Sequence, residues 1–390
     1  MRSDQRKSLT DRITTQRDVP QVSLIIPTRN EQETICECIQ EAQQVFKDMG
    51  LLSEILVADN SSDNTAKIAH SCGAKVIKPA KLGYGNAYLT GLAEAKGQYI
   101  VFMDGDLTYD PKDISDMISL LQSGNYDMVI GSRLKGWILP GAMPALHRYI
   151  GNPILTGILN TLFSCHISDA HCGLRAIKRD ALNRLNLKSG GMEFASEMLI
   201  EAVCKDLRVA EFPITYSPRK GVSKLHSITD GWRHLRFMML YRPAPFLLVP
   251  GFLVLIFGLA LFMGVYLQGG SRMHSLILGG LLAIIGYQML LAGIYFEAFG
   301  ATYGLSRSGR IKKMISYHSL EKELIIGAVL LAAGGLLGLK VLMSWGVSGF
   351  GALDAASSAM MAMIFSILGI QTIFSGMSIS LLLLNNGNQD

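Results

Sequence analysis

"FMDGDLTYDP", residues 102–111, carries an apolar run directly into two aspartates, Asp104 and Asp106, with a single glycine between them. An Asp-Gly pair between apolar runs is a hairpin signal. The segment that follows, DPKDISDMISLLQSG, has helical periodicity instead, so the chain does not return as a second hairpin strand. Two carboxylates at a strand end repel each other, and a cation relieves that repulsion best. Mg²⁺ or Mn²⁺ held by one or two carboxylates and completed by substrate phosphates is the usual arrangement. The stretch therefore predicts a metal site, with Asp104 and Asp106 as ligands, at the mouth of a buried strand.

The flanking sequence places that strand in a sheet. VSLIIPT (22–28), EILVADN (54–60), KVIKP (75–79), YIVFMDGD (99–106) and MVIGSR (128–133) read as strands. Between them, Ile35, Ile39, Ala42, Phe46 and Met49 recur at helical spacing, with Asn30 and Glu33 set as a capping box and Gly50 as the stop. SDNTAKIAHSCG and NAYLTGLAEAKG supply two further helices. Strands alternating with helices over short connections predict an α/β, Rossmann-like, mostly parallel sheet. Such sheets bind ligands at the carboxyl ends of their strands. Thr28, Arg29, Glu31, Asp59, Asp104 and Asp106 should therefore converge on one crevice.

Composition divides the chain of 390 residues. Charged residues make up 17% and hydrophobic residues 49%, and most of the charge precedes Tyr241. Four uncharged or nearly uncharged segments follow, at about 244–267, 275–303, 324–344 and 358–384, each long enough to cross about 30 Å of hydrocarbon as a helix. The expected organisation is a basic, mostly disordered arm (1–19), an α/β domain (20–220), an interfacial juxtamembrane segment (221–243), an all-α domain of four transmembrane helices (244–384) and a short tail (385–390). Arg236 and Arg242 precede the first span, and Arg307, Arg310, Lys312 and Lys313 lie between the second and third. The opposite loops offer only Arg272 and Asp354. The positive-inside rule then puts the α/β domain and both termini in the cytoplasm of a multi-pass membrane protein. The first residues lack the apolar core of a signal peptide. Six cysteines without a CxxC pair read as free thiols of a reducing compartment. CHISDAHC (165–172) has two Cys and two His, but adjacent Cys-His pairs do not match common zinc spacings. Glu297 and Lys340 lie near the ends of apolar segments, where long side chains reach the interface. Gly334, Gly335 and Gly338 mark close helix packing.

The motifs PTRNEQETI, VADNSSDNT, KLGYGNAYLTGL, FMDGDLTYDP, GSR, SDAHCGLRA and SPRKGVSKL, in that order, resemble those of family-2 glycosyltransferases with the GT-A fold. The resemblance covers about residues 20–240 and is strongest to the polyprenyl-phosphate type, the dolichol-phosphate mannose and glucose synthases, including members with two C-terminal membrane hairpins. It implies a donor pocket lined by Pro27, Thr28, Arg29, Glu31 and Asp59, with Lys81, Gly83, Asp104 and Gly105 beside the donor. It also implies a DXD metal motif at Asp104 and Asp106. This chain reads Ala58-Asp59-Asn60 where many relatives have Asp-Asp-Gly, and Thr108 where mannose synthases can supply a glutamine.

The activity so implied is inverting transfer of a hexose from a nucleotide sugar, of the UDP-glucose or GDP-mannose class, to a polyprenyl phosphate. A second phosphate must then be held near the first. Arg133, Arg175, Arg219, Ser223 and Lys224 are the candidates for it, and Asp106, Asp169 and Arg133 the candidates for the chemistry. A juxtamembrane headgroup patch is the rival reading of the last basic cluster. The segment 140–163 reads either as an interfacial element or as ordinary core helices. Alternatives for the whole chain are transfer to another lipid or a growing polysaccharide, although the QxxRW signature of processive synthases is absent, or a non-catalytic scaffold binding nucleotide sugar. Expected partners are the nucleotide sugar, the lipid acceptor and the bilayer, with no nucleic acid and with homo-oligomerisation left open.

Overall fold

The computed structural model describes residues 19–220, 227–268, 272–302, 319–350 and 355–384. The chain divides into two compact units, Met1–Phe237 and Met238–Asp390. The N-terminal arm, Ser223 and Lys224, the basic loop at 307–313 and Asp354 lie outside the described residues.

The first unit is built on a seven-stranded sheet. Its strands are β1 (Val22–Thr28), β2 (Ser53–Asp59), β3 (Lys75–Ile77), β4 (Tyr99–Phe102), β5 (Met128–Ile138), β6 (Arg175–Lys178) and β7 (Val209–Tyr216). Their order across the sheet is β3-β2-β1-β4-β6-β5-β7. All but β6 run parallel, and β6 is antiparallel to both β4 and β5. Five of the seven residues of β1 are fully buried apolar or small residues, as a strand covered on both faces requires. The covering helices are α1 (Ile35–Asp48), α2 (Thr65–Ser71), α3 (Tyr84–Glu94), α4 (Asp113–Gln122), α5 (Asn152–Phe163), α6 (Arg179–Leu182) and α7 (Phe194–Cys204), with α8 (Ser227–Tyr241) after them. Strand order reverses between β1 and β4, which makes their carboxyl ends the topological switch point. The register Ile25↔Phe102 ends β4 before β1, so residues 103–106 turn out over the ends of both strands.

Two local expectations are corrected. Asn30 does not cap α1, which starts at Ile35. It adopts a left-handed conformation (φ 58°), its Oδ1 accepts a hydrogen bond from the Ser62 amide at 2.8 Å, and its own amide donates to Ser61 Oγ at 2.7 Å. Its role is to tie together the loops that leave β1 and β2. The cysteines are not all free: Cys36 in the first turn of α1 is disulfide-bonded to Cys72 at the end of α2, a sequence separation of 36. Cys38, Cys165, Cys172 and Cys204 are free thiols. In the segment 140–163, a π-helical turn at His147–Gly151 leads into α5. Thr156, Leu159, Leu162 and Phe163 of α5 are buried, whereas Leu146, Tyr149, Ile150 and Ile154 are exposed.

The second unit has four helices long and apolar enough to cross a membrane: α9 (Ala244–Leu267), α10 (Met273–Thr302), α11 (Leu320–Val347) and α12 (Ala356–Leu384). They pack pairwise through glycines. A Cβ on Gly258 would lie 2.4 Å from the amide nitrogen of Ala283, and one on Gly286 2.3 Å from that of Leu255, so α9 and α10 touch backbone to backbone. On α11, Gly334 makes the equivalent approach to Ser366 of α12, while Gly335 faces open space and Gly338 makes only ordinary contact. Glu297 is buried in α10, and Lys340 is exposed.

The disulfide carries a direct test. Alkylation of the denatured, unreduced chain should modify four cysteines and, after reduction, all six. The Cys36→Ser variant should lose about 2–4 kcal/mol of stability in equilibrium unfolding.

Candidate active site

Asp104 and Asp106 leave the end of β4 through a tight, strained turn in which Leu107 has φ 61°, a conformation costly for a branched side chain and typical of functional loops. A Cβ on Gly105 would lie 3.0 Å from Ile26 Cγ2 and 3.2 Å from Thr28 Cγ2, so glycine lets the turn press onto the end of β1. Thr34 at the start of α1 donates its hydroxyl to the Gly105 carbonyl at 2.6 Å and pins the turn from the other side. Asp106 Oδ1 accepts the amide and hydroxyl of Thr108 at 3.1 and 2.6 Å, and its Oδ2 pairs with Arg219 Nη2 at 2.5 Å. Asp104 Oδ1 accepts the Tyr84 hydroxyl at 3.1 Å. Burial, and then the charge of Asp106, push the Asp104 carboxyl up to about 7. Two crowded carboxylates, with burial disfavouring the charge of Asp104, fit a divalent cation. Among the described residues no group of three or more His, Cys, Asp or Glu side chains is placed to hold a metal ion, so phosphate oxygens and water would have to complete the shell around these two.

Both aspartates line a cavity of about 1060 Å³ in the first unit. Of the residues expected at the donor, Pro27, Thr28, Arg29, Glu31, Gly83 and Gly105 line it too. Asp59 lies just behind the wall, accepting hydrogen bonds from the hydroxyls of Thr28 (2.7 Å) and Ser61, and its neighbour Asn60 reaches the cavity. Lys81 is exposed and is not among the lining residues, whereas Leu82 is. Gly83 has φ 138°, and a Cβ there would lie 2.2 Å from the Gly190 carbonyl, which fixes the start of α3 against the loop before α7.

The basic candidates separate by position. Arg133, on β5, lines the cavity and is gripped from behind by Asp169, with Nε–Oδ2 at 2.7 Å, Nη2–Oδ1 at 2.8 Å and its amide to Oδ2 at 3.2 Å. Its guanidinium also stacks over the Tyr216 ring, 5.2 Å from the centroid. Burial opposes ionisation of Asp169, yet the Arg133 guanidinium holds that carboxyl below its ordinary range. Asp169 is fully buried and both its oxygens are occupied, so its place is to orient Arg133. Arg219 also lines the cavity. Arg175 corrects the expectation of a phosphate ligand. It begins β6 with its guanidinium turned inward, donating to the carbonyls of Cys172 (2.8 Å), Ala195 (2.6 Å) and Ala170 (2.8 Å). Each of its three nitrogens is engaged by a carbonyl, and Arg175 is not among the residues lining the cavity.

Several residues that frame the site were not among its sequence candidates, although most of them lie within the motifs. The Tyr109 hydroxyl accepts the Gly173 amide at 2.8 Å. Gly173 is needed because a Cβ there would lie 2.8 Å from Asp104 Oδ2 and 3.1 Å from the Tyr109 hydroxyl. His171 and His234 also line the cavity, their rings edge to face with centroids 4.5 Å apart, and His234 Nδ1 pairs with Ser196 Oγ at 2.8 Å. The signal that could have pointed to Gly173 and His171 is their place in SDAHCGLRA, where the sequence supplies turn residues immediately before a strand.

Two substitutions test this geometry. Gly173→Ala should displace the Asp104 carboxylate and reduce turnover about a hundredfold at nearly unchanged thermal stability. Asp169→Asn should leave Arg133 buried without its counter-charge and lower unfolding stability by about 3–5 kcal/mol. Because the Asp169 carboxyl lies below its unfolded value of about 3.9, its stabilisation is fully present above that pH and is lost as pH falls through the lower folded value. The difference between variant and wild type should thus be flat near neutrality and shrink only in acid.

Residues 23–185 match the model of glycosyl transferase family 2, and residues 294–383 match that of the glycosyltransferase family 2 C-terminal transmembrane region. The chain is 41% identical over 364 residues to the low-salt glycan biosynthesis hexosyltransferase Agl6 of Haloferax volcanii, covering 91% of this chain and 87% of that protein. It is 29% identical over 213 residues to the dolichyl-phosphate hexose transferase of the same organism, covering 54% and 89%. Among solved structures it is similar to glucosyl-3-phosphoglycerate synthase from Mycobacterium tuberculosis in complex with Mn²⁺, UDP-glucose and phosphoglyceric acid, with TM-score 0.48, 20% identity and coverage of 56% of this chain and 79% of that one. With a GT-A sheet carrying an acidic pair at its switch point, and four apolar helices after it, the chain belongs to glycosyltransferase family 2 and is a membrane glycosyltransferase of that family.

Proposed function

We propose that this protein transfers a hexose from a nucleotide sugar of the UDP-glucose or GDP-mannose class to a polyprenyl phosphate, with inversion at the anomeric carbon. The observation that carries the reading is a cavity whose lining includes an acidic pair, arginines beyond the donor loop and an apolar wall: Asp104 and Asp106, Arg133 and Arg219, and Met143, Ile154, Leu155 and Ile158. The donor's diphosphate needs a cation at the acidic pair, and an isoprenoid phosphate needs both cations and apolar surface. Asp104 and Asp106 would hold Mg²⁺ or Mn²⁺, which supplies Lewis-acid stabilisation of the charge that builds on the leaving diphosphate. Pro27, Thr28, Arg29, Glu31 and the Gly83 loop would position the nucleotide sugar. Arg133, braced by Asp169, and Arg219 would draw the acceptor phosphate towards the anomeric carbon, Arg133 through the nitrogen that Asp169 leaves open.

The acceptor's ionisation favours this over transfer to a lipid hydroxyl. A phosphate monoester has a second pKa of about 6 and arrives as a ready nucleophile, whereas a hydroxyl needs a base. Asp169, the carboxylate best placed by sequence for that duty, has both oxygens engaged by Arg133. The dolichyl-phosphate hexose transferase among the relatives is consistent with a lipid acceptor. The basic residues between the second and third spans favour a cytoplasmic catalytic domain.

Purified full-length protein incubated with radiolabelled nucleotide sugars, Mg²⁺ or Mn²⁺ and undecaprenyl or dolichyl phosphate should yield one lipid-soluble labelled product. Asp106→Asn should reduce that transfer by at least about a thousandfold, and EDTA should abolish it until the metal is restored. Full activity in EDTA, or no product with any polyprenyl phosphate, would remove the reading.

A further inference from the structure

His171 is the polar side chain of the cavity whose bonding is least satisfied. Both of its ring nitrogens are buried with no hydrogen-bond partner. Among the described residues the other buried side-chain atoms in that condition are single ones, Arg242 Nε and Gln371 Oε1. A buried donor or acceptor left unpaired bears the full cost of its desolvation, so such a group in a cavity wall signals a ligand atom. The ring is held firmly. Its backbone amide donates to Asp169 Oδ1 at 3.4 Å, and its ring packs against that of His234, itself fixed by Ser196. Burial, and then the neighbouring His234, push its basicity well below the ordinary histidine range, so the imidazole is neutral and offers one N–H donor.

The surroundings identify the ligand's chemistry. Asp169 anchors both His171 and Arg133; it takes Nε and Nη2 of the guanidinium, and among the described residues Nη1 has no hydrogen-bond partner. The segment bearing His171 is backed by α5, where Thr156 Oγ1 accepts the Ala170 amide at 3.3 Å and Asn160 donates to the Ile167 carbonyl at 2.7 Å. The same helix gives Ile154, Leu155 and Ile158 to the cavity. An unpaired neutral donor, an unengaged guanidinium nitrogen and an aliphatic wall on adjoining elements suit an anionic head on an apolar tail better than they suit a sugar ring.

We infer that His171 donates a hydrogen bond to a non-bridging oxygen of the acceptor's phosphate, beside Arg133 Nη1, and thereby selects a phosphorylated lipid over the free alcohol. The inference rests on the polyprenyl-phosphate reading above. Its test separates the two by measuring equilibrium binding of farnesyl phosphate and of farnesol to the full-length protein in detergent micelles, alongside initial-rate kinetics with undecaprenyl phosphate. Wild type should bind farnesyl phosphate at least about tenfold more tightly than farnesol. His171→Phe should remove most of that preference and raise the KM for the lipid phosphate about tenfold, with the donor KM and the thermal midpoint unchanged. His171→Gln, which keeps an N–H donor, should recover most of the loss, and it stands in for the Phe variant if that chain fails to fold, with a preference intermediate between Phe-like loss and wild type. A phosphate preference unaltered in the variants, or a rise confined to the donor KM, overturns the role of His171 alone. A wild type that binds the alcohol as well as the phosphate overturns the acceptor reading itself.

Discussion

The structure turns on the cost of keeping two carboxylates out of water within three residues of chain. Asp104 and Asp106 sit where strand order reverses between β1 and β4, and burial there already lifts the Asp104 carboxyl to about 7. Each nearby feature limits that cost or fixes where the charge points. Tyr84 donates to one carboxylate, Thr108 and Arg219 engage the other, and the left-handed Leu107 aims Asp106 back into the cavity. Gly105 and Gly173 are glycine because the turn is pressed from two sides, by the end of β1 and by the loop before β6. A sheet with a different register between β1 and β4 would leave the acidic turn inside the strand pairing and not over its end.

What could be read from the residues follows the same physics. Strands β1 to β4 were legible because a parallel strand covered on both faces appears as an unbroken apolar run, and the polar residues that end such runs must lie at the ligand-binding edge. That logic named the acidic pair, Thr28, Arg29 and Glu31, which all line the cavity, and Asp59, which lies just behind its wall. It did not find β6, whose four residues begin and end with basic side chains, or β7, which contains Pro213. Nor could it separate Arg133 from Arg175. Both follow short polar motifs, and only the antiparallel pairing of Phe102 with Arg175 shows that the second guanidinium turns in among carbonyls while the first faces the cavity. The Cys36–Cys72 bridge was hidden for a related reason, since it depends on where two helices meet. The apparent capping box at Asn30 and Glu33 misled because Asn30 was better used in joining two loops.

The state of Asp169 bears on what kind of reaction such a site can favour. A general base needs a free lone pair and access to the attacking group. Asp169 has neither: its oxygens carry Nε and Nη2 of Arg133 and two backbone amides, and it is fully buried. Its negative charge is instead a fixed counterweight that keeps Arg133 ionised and immobile in a setting that would otherwise disfavour the guanidinium. An enzyme that places its best-positioned carboxylate behind an arginine is arranged to gather anions and not to remove protons. On the proposed reading, in which the acceptor is already a phosphate, the barrier would lie in bringing two negative groups together, and a pre-set cluster of cations and neutral donors would lower it without reorganising at the moment of transfer. The acidic pair, engaged by Thr108 and Arg219, and the Asp169-braced arginine line the same cavity, so the charge on each is fixed in place before any ligand arrives.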